Sequence, residues 1–448
     1  MKISKYTTAL IGLGILSLAG VAQAANPVIY LAGASALRST LFTAATTAGV
    51  IFDAGHAGTV VSPSPNNTST AGNIVFEGPI NGTTVDISIF WTGAEAGVAD
   101  AAGNLLTQTL NNTAFAPNGV GTYPVPGSPG TFLTQASGWT TTAKLSAIPG
   151  APAVADLALD DTSQAVSLTP HSLYPLVDYG AIAVVPFTWL KGYEHTPDQA
   201  WNDVVNLTTA EVNQIYGAPV SAGFVTGVPA DNVDSIAITG RNLSSGTRVN
   251  ALLSAQVGVT SPVDQWAYQP LYNSPGVLTA GTSYASPGAI TEIFNDGFNS
   301  SGVAAAQLNF DGTGQGVVLI EPLAVPDAAG ATHTAIPAGG GAATYLPYNG
   351  VYESDANVEN GSYSIWGQEH IFGAVGQLPT SLGGEVGKAI SGSATYTNHG
   401  TGLPAYLLAS GAGTAAGAVG PVYTAQSALI PESLVVVSKG SDGGFPVP

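Results

Sequence analysis

The sequence is 448 residues long and carries 9 Lys+Arg against 28 Asp+Glu, a formal charge of −19. Only 8% of it is charged, where an ordinary soluble domain has about 25%, while 45% is hydrophobic. That is too apolar for intrinsic disorder and too acidic for the overall field to attract a nucleic-acid backbone. A chain of this length is expected to divide into two domains or lobes.

The first segment reads as an export signal. Lys2 and Lys5 form a basic start, Ala9 to Leu18 is apolar, and Ala22-Gln23-Ala24 supplies small residues at a cleavage site. The apolar run is shorter than the ~20 residues that a membrane span needs. Cleavage after Ala24 is therefore expected, with no membrane insertion afterwards and a soluble product in the periplasm or outside the cell. There is no Cys, hence no lipid-attachment Cys, no disulfide framework and no Cys-bound metal. Seven basic residues remain beyond Ala24, of which Arg38, Arg241 and Arg248 are the only arginines; with 28 acidic residues the charge becomes −21.

Next, 28–32 (VIYLA) predicts a short buried strand, followed by Gly33-Ala34-Ser35 and helical spacing to about Ala48. Segment 73–91 alternates apolar and polar residues, predicting two strands or a hairpin. Residues 100–150 are rich in Asn, Thr, Gly and Pro and read as a loop-rich insertion. AVADLAL at 153–159 predicts a buried strand ending at Asp160-Asp161, and GAIAVVPFTWL at 180–190 a long apolar strand that could cross between lobes. Thr208 with Glu211 opens a helix. DSIAITG at 234–240 is a strand, 249–257 has helical spacing, GVVLI at 316–320 is a strand, and the Gly/Ala/Pro-rich 326–343 reads as loop. Strands alternating with helices predict an α/β fold with parallel sheets covered by helices.

The sharpest chemistry lies in GRNLSSGTR at 240–248. A strand delivers small and hydroxyl-bearing residues to a helix start, where unpaired N–H groups and the helix dipole favour an anion. Ser244, Ser245 and Thr247 add hydroxyl donors, Gly246 permits close approach, and Arg241 offers a fork fitting two oxygens of a phosphate or carboxylate. The alternative is a hydroxyl-rich N-cap with an unrelated arginine nearby. Gly33-Ala34-Ser35-Ala36-Leu37-Arg38 repeats the pattern on a smaller scale, with an ordinary strand-to-helix turn and a solvated Arg38 as its alternative. Asp160-Asp161, past an apolar strand, sits where ligands gather in open α/β sheets. A carboxylate there suits an oxyanion that carries a proton, since it can accept that proton's hydrogen bond; helix N-capping is the expected role of Asp160. His56, His171, His195, His333, His370 and His399 are scattered without metal-ligand spacing, and no P-loop, nucleophile elbow or dinucleotide fingerprint is present. No cofactor is expected.

At these segments the chain resembles the phosphate-specific family of periplasmic solute-binding proteins. The matching pieces are Gly33-Ala34-Ser35 after the opening strand, Asp156-Leu157-Ala158-Leu159-Asp160-Asp161, and Arg241 with Ser245-Gly246-Thr247. AVVPFTW at 183–189 and NLTTAEVNQIYGA at 206–218 match a crossover strand and a helix of the family. The likeness covers about 26–60 and 150–260 and is absent from 100–150. It implies a two-lobed periplasmic-binding-protein-like α/β fold, each lobe a central sheet flanked by helices, with loop-rich insertions. Lobe 1 would comprise 25–185 and 345–448, and lobe 2 residues 186–344. Ser35, Asp161, Arg241, Ser245, Gly246 and Thr247 would surround a dehydrated small oxyanion, phosphate first. An ABC-type membrane permease is the implied partner. Two positions depart from the pattern: Ala36 replaces an aromatic, and Ala94-Glu95-Ala96-Gly97 stands where a Ser-Ser-Gly-Gly turn is usual, losing a hydroxyl and adding a negative charge. The low-charge composition and the 100–150 insertion also fit a secreted surface or matrix protein that keeps the fold without transport. Hydrolysis of phosphate esters by a metal on Asp160-Asp161 or the histidines has no ligand-spaced cluster behind it.

Overall fold

The structure is a computed structural model that describes residues 26–60, 73–91, 93–101, 122–125, 128–134, 155–161, 176–242, 245–259, 261–268, 272–274, 277–278, 290–292, 297–298, 301–333, 341–373, 382–392, 400–413, 429–439 and 446–447. The export signal, Ser244, His171 and His399 lie outside the described residues, as does most of the 100–150 insertion.

The apolar opening run forms strand β1 (Val28–Gly33), which passes through a 3-10 turn (Ser35–Leu37) into the helix Arg38–Thr46. Next come β2 (Thr59–Val60), β3 (Asn73–Ile80) and β4 (Thr83–Phe90). Asn81 and Gly82 join β3 to β4 with φ of 50° and 76°, the left-handed pair that a two-residue hairpin requires. The Asp53 carboxylate accepts both of their backbone N–H groups at 2.7 Å. After β4 comes the helix Ala94–Ala101, and inside the insertion β5 (Thr122–Val125) pairs with β6 (Ser128–Thr134). The chain continues through β7 (Leu157–Asp160) and β8 (Val177–Lys191), then β9 (Val220–Ser221) and β10 (Ser235–Ile238). Small pairs follow, β11 (Trp266–Tyr268) with β14 (Ile290–Glu292) and, between them, β12 (Tyr272–Ser274) with β13 (Val277–Leu278). The last strands are β15 (Val317–Ala324), β16 (Thr344–Leu346), β17 (Trp366–Gly373), β18 (Ser438–Lys439) and β19 (Pro446–Val447).

Eleven strands form one sheet in the order β2-β3-β4-β1-β7-β17-β8-β15-β10-β9, with β16 also on β8. β1 is parallel to β4 and β7, and β10 is parallel to β15. β17 and β8 are antiparallel to their neighbours, so the sheet is mixed rather than parallel as expected. The 15 residues of β8 hold the two halves together: Val177–Pro186 pairs with β17, and Phe187–Lys191 with β15. Ile182 through Lys191 are all buried, as a strand covered on both faces demands. Helices flank this sheet, giving the α/β class that the sequence predicts.

Two local expectations need correction. The stretch beginning at 326 is not loop throughout, because Val325–His333 is a helix. Pro326 lies in its first turn, where the missing N–H costs nothing, and Asp327 follows in the same turn. Asp160 is no helix N-cap: it is the last residue of β7, fully buried and in register with His370 of β17.

Candidate functional site

The parallel strands of both halves end at one place. Just beyond the C-termini of β1, β4, β7, β10 and β15, residues from all five connections line a small polar cavity of about 20 Å³. From the first half come Ala34, Ser35 and Ala36, then Gly93 and Ala94, then Asp161; from the second come Arg241, Ser245, Gly246, Thr247, Ser301, Ala324 and Asp327. Ser35 opens the 3-10 turn, Ala94 starts the helix Ala94–Ala101, Gly246 starts the helix Gly246–Ser254, Ser301 starts the helix Ser301–Leu308, and Ala324 precedes the helix Val325–His333. Five helical N-termini therefore converge. Each carries unpaired backbone donors and a positive partial charge, so together they favour an anion far more than one helix start would.

Arg241 is the cation on this wall. Its backbone bridges to Phe298, its Nε–H donates to the Phe298 carbonyl at 3.1 Å, and one terminal nitrogen donates to Ser301 Oγ. The Ser301 hydroxyl is hydrogen-bonded in turn to the Asp327 carboxylate. A hydroxyl that accepts from a guanidinium has its one proton left to donate, so the order is Arg241 to Ser301 to Asp327. Burial lowers the Arg241 guanidinium, against Asp327, Glu321 and Asp161, which raise it; an arginine stays charged regardless. Burial raises the Asp327 carboxyl, opposed by Arg241, the Ser301 hydrogen bond and Arg38.

The other two arginines are structural neighbours of the cavity. A terminal nitrogen of Arg248 donates to the Arg241 carbonyl at 3.2 Å, and Arg248 is buried. The Arg38 guanidinium lies 5.8 Å from the centre of the Trp91 ring and is half-buried rather than solvated.

Asp161 and the Gly246–Ser254 helix are fitted to one another across the cavity. Ser245 is the N-cap, its hydroxyl accepting from the Arg248 N–H at 3.4 Å. A Cβ on Gly246 would stand 1.5 Å from Asp161 Oδ1, so only glycine admits the carboxylate there. Asn250, one turn into the helix, donates its side-chain amide to the Asp161 carbonyl at 3.0 Å. Two carboxyls on the neighbouring strands are fully buried, which opposes their ionisation. Glu369 of β17 is pushed well up by burial and further by Asp161 and Asp160; Glu321 of β15 is pushed well up by burial, with Arg241 opposing and Asp327 adding. Neither has a hydrogen-bond partner for its carboxyl oxygens among the described residues.

Ser35, Asp161, Arg241, Ser245, Gly246 and Thr247, singled out from the sequence, all border this one cavity. Glu95 is not among the residues that border it, and it is fully buried. Sequence reasoning missed Ser301 and Asp327. The signal for Asp327 was Val325-Pro326-Asp327, a helix start of the Pro-then-acid type, hidden in a Gly/Ala/Pro-rich stretch. Among the described residues no group of three or more His, Asp or Glu is placed to hold a metal ion, and no helix is long and apolar enough to cross a membrane.

No protein-family model matches the chain, and no curated protein matches it. Solved structures do. The chain is similar to a protein from Clostridium perfringens described as a phosphate ABC transporter substrate-binding protein with bound phosphate, at 11% identity over 81% of this chain and 92% of that one, with a TM-score of 0.39. It is also similar to an ABC-type phosphate transport receptor from Vibrio cholerae (12% identity, 78% and 88% covered, TM-score 0.35) and to PstS from Borrelia burgdorferi (10% identity, 78% and 87% covered, TM-score 0.30).

Proposed function

We propose that this chain is an exported, two-lobed solute-binding protein that captures a small oxyanion, phosphate first, and does not convert it chemically. Lobe 1 would be 25–185 with 345–448 and lobe 2 would be 186–344, hinged where β8 passes between the two halves of the sheet. The observation that carries the reading is the convergence of five helix N-termini with Arg241 on one polar cavity. A small oxyanion needs nearly every oxygen supplied with a donor once water is removed. Ser35, Ser245 and Thr247 add hydroxyls to the backbone donors. Asp161, able only to accept when ionised, suits a ligand that carries a proton. Delivery to an ABC-type permease is the partner role that fits such a receptor.

A thermal-shift series over phosphate, sulfate, molybdate and small carboxylates, followed by titration calorimetry on any ligand that stabilises, tests the reading. Phosphate is expected to stabilise the wild type, and Arg241→Ala is expected to abolish its binding heat. Absence of heat from phosphate on the wild type overturns the phosphate assignment; stabilisation by none of the anions overturns the reading as a whole.

A further inference from the structure

Away from the cavity, large apolar side chains gather at one place on the surface. Of the six that stand exposed among the described residues, Leu408 and Val436 lie elsewhere, while Val205, Phe224, Val228 and Val233 belong to one small cap. The helix Ala222–Thr226 carries Phe224, the 3-10 turn Pro229–Val233 ends on Val233, and Gly227 to Ala230 between them are exposed. The helix Gln199–Asp203, with Val205 just beyond it, packs against both. Surface hydrophobics scattered singly need no explanation, but a gathered set marks an interaction site. The cap is also fixed from within. Gly227 closes its helix in the left-handed region at φ 74°. The Thr226 hydroxyl donates to the buried Asp231 carboxylate at 2.6 Å and accepts from the Val228 N–H at 3.2 Å, and the Ala222 N–H donates to the Asp234 carbonyl at 2.8 Å. A preformed scaffold presents the apolar tips, which lowers the ordering cost of binding.

Charge selects the occupant. Residues 186–344 contain no Lys or Arg besides Lys191, Arg241 and Arg248, and all three are buried. Carboxyl groups stand beside the apolar tips instead. Asp231 lies within the 3-10 turn and Asp234 directly after it. Asp198, exposed at the N-cap of Gln199–Asp203, is hydrogen-bonded to Asp234 and acts on Glu194 as well. A second copy of the chain would bring the same acidic rim, and an anionic lipid surface would be repelled. We propose that this cap is a docking surface for a different protein, whose contact surface is an apolar hollow rimmed by Lys and Arg.

The position of the cap keeps this docking separate from the cavity. The 3-10 turn leads straight into β10 at Ser235, and β10 runs parallel to β15 with the cavity beyond the C-termini of both. β8 is antiparallel to β15, so the helix Gln199–Asp203 that follows β8 starts from the same far edge. The cap therefore sits at the end of the second half opposite the cavity, and a partner seated on it does not cover the anion site.

The test titrates the full chain into a fluorescently labelled synthetic helix of Leu and Lys, with Leu on one face, and follows anisotropy. The helix is expected to bind, severalfold more weakly when salt rises from about 50 to about 200 mM. Combining Phe224→Ser with Val233→Ser should weaken binding about tenfold; both side chains are exposed, so urea unfolding should match the wild type. Combining Leu408→Ser with Val436→Ser, the exposed pair outside the cap, should leave binding unchanged. Probe helices with Glu in place of Lys, or Ser in place of Leu, should each bind about tenfold more weakly. Undiminished binding by the Phe224→Ser, Val233→Ser chain overturns the proposal, and so does equal binding of the Glu helix or no binding by the wild type. Sedimentation that shows a wild-type dimer, dissolved by the same two substitutions, gives the cap to a second copy and overturns it as well.

Discussion

At the scale of single residues, the site depends on one missing methyl group. Gly246 starts its helix with the Asp161 carboxylate in the place where a Cβ would project, 1.5 Å from Oδ1. The nearest give would have to come from a carboxylate whose own carbonyl is tied to Asn250. Gly246→Ala is therefore expected to push Asp161 off the helix N-terminus, lowering phosphate affinity by about a hundredfold and destabilising the fold by about 1–3 kcal/mol; calorimetry and urea unfolding read the two effects separately. Retention of full affinity would mean that Asp161 takes no part in binding. Why the sequence disclosed Gly246 but not Asp327 has a physical reason. Small and hydroxyl residues between a strand and a helix form a local pattern, and 240–248 displays it within nine positions. Asp327 reaches the cavity only because β15 lies parallel to β10 in the sheet, and such pairing leaves no mark in a single sequence.

At the scale of elements, what could be read in advance followed the strength of local signals. Thr208 and Glu211 form a reciprocal capping box: the Thr208 hydroxyl accepts from the Glu211 N–H at 3.3 Å, while Glu211 accepts from the Thr208 N–H at 2.7 Å. That pair marked the start of the helix Thr209–Gly217 from sequence alone. Buried strands such as β1, β8 and β10 were legible as apolar runs for the same reason. The Val325–His333 helix was not, because Ala, Gly and Pro report loop by composition while a Pro in the first turn is in truth compatible with a helix start. Antiparallel entry of β17 was equally unreadable, since its partners β7 and β8 lie about two hundred residues away in sequence and a strand's direction is set by the path between them. The box makes a clean test of local stability. Thr208→Ala should cost about 1 kcal/mol in urea unfolding with ligand affinity unchanged, because Thr208 is not among the residues lining the cavity. A loss of affinity would connect this helix to the site.

For the whole molecule, scarcity of cations governs both the site and its response to pH. Of the few cations, Lys191 is turned inward, donating to the carbonyls of Trp201 and Val204 at 2.6 and 2.8 Å, with burial holding its amine down to about 8. Acidic groups consequently crowd one another. Glu194 is pushed up to about 7, first by burial and then by Asp198 and Asp234, and Asp234 is raised by burial and Asp198 in turn. In the unfolded chain such carboxyls ionise near their ordinary values, so between about pH 4.5 and 7 the native state binds more protons than the unfolded one. Stability then decreases as pH rises through that window, and repulsion among 28 acidic residues acts in the same direction. On the acid side the trend reverses. Burial acts to raise Asp178 and Asp311, but hydrogen bonds from His370 to the first and from Thr313 and His195 to the second hold both below the usual range, and protonating them costs the native state. Urea unfolding across pH 3.5 to 8 should thus show greatest stability at mildly acid pH, with a decline toward neutrality on the order of a few kcal/mol. Glu194→Gln should flatten that decline by removing the group whose ionisation spans it. A wild-type midpoint that climbs from pH 4.5 to 7 would mean that Glu194 and Asp234 ionise freely in the folded protein, and that the acidic surface is solvated far better than its crowding implies.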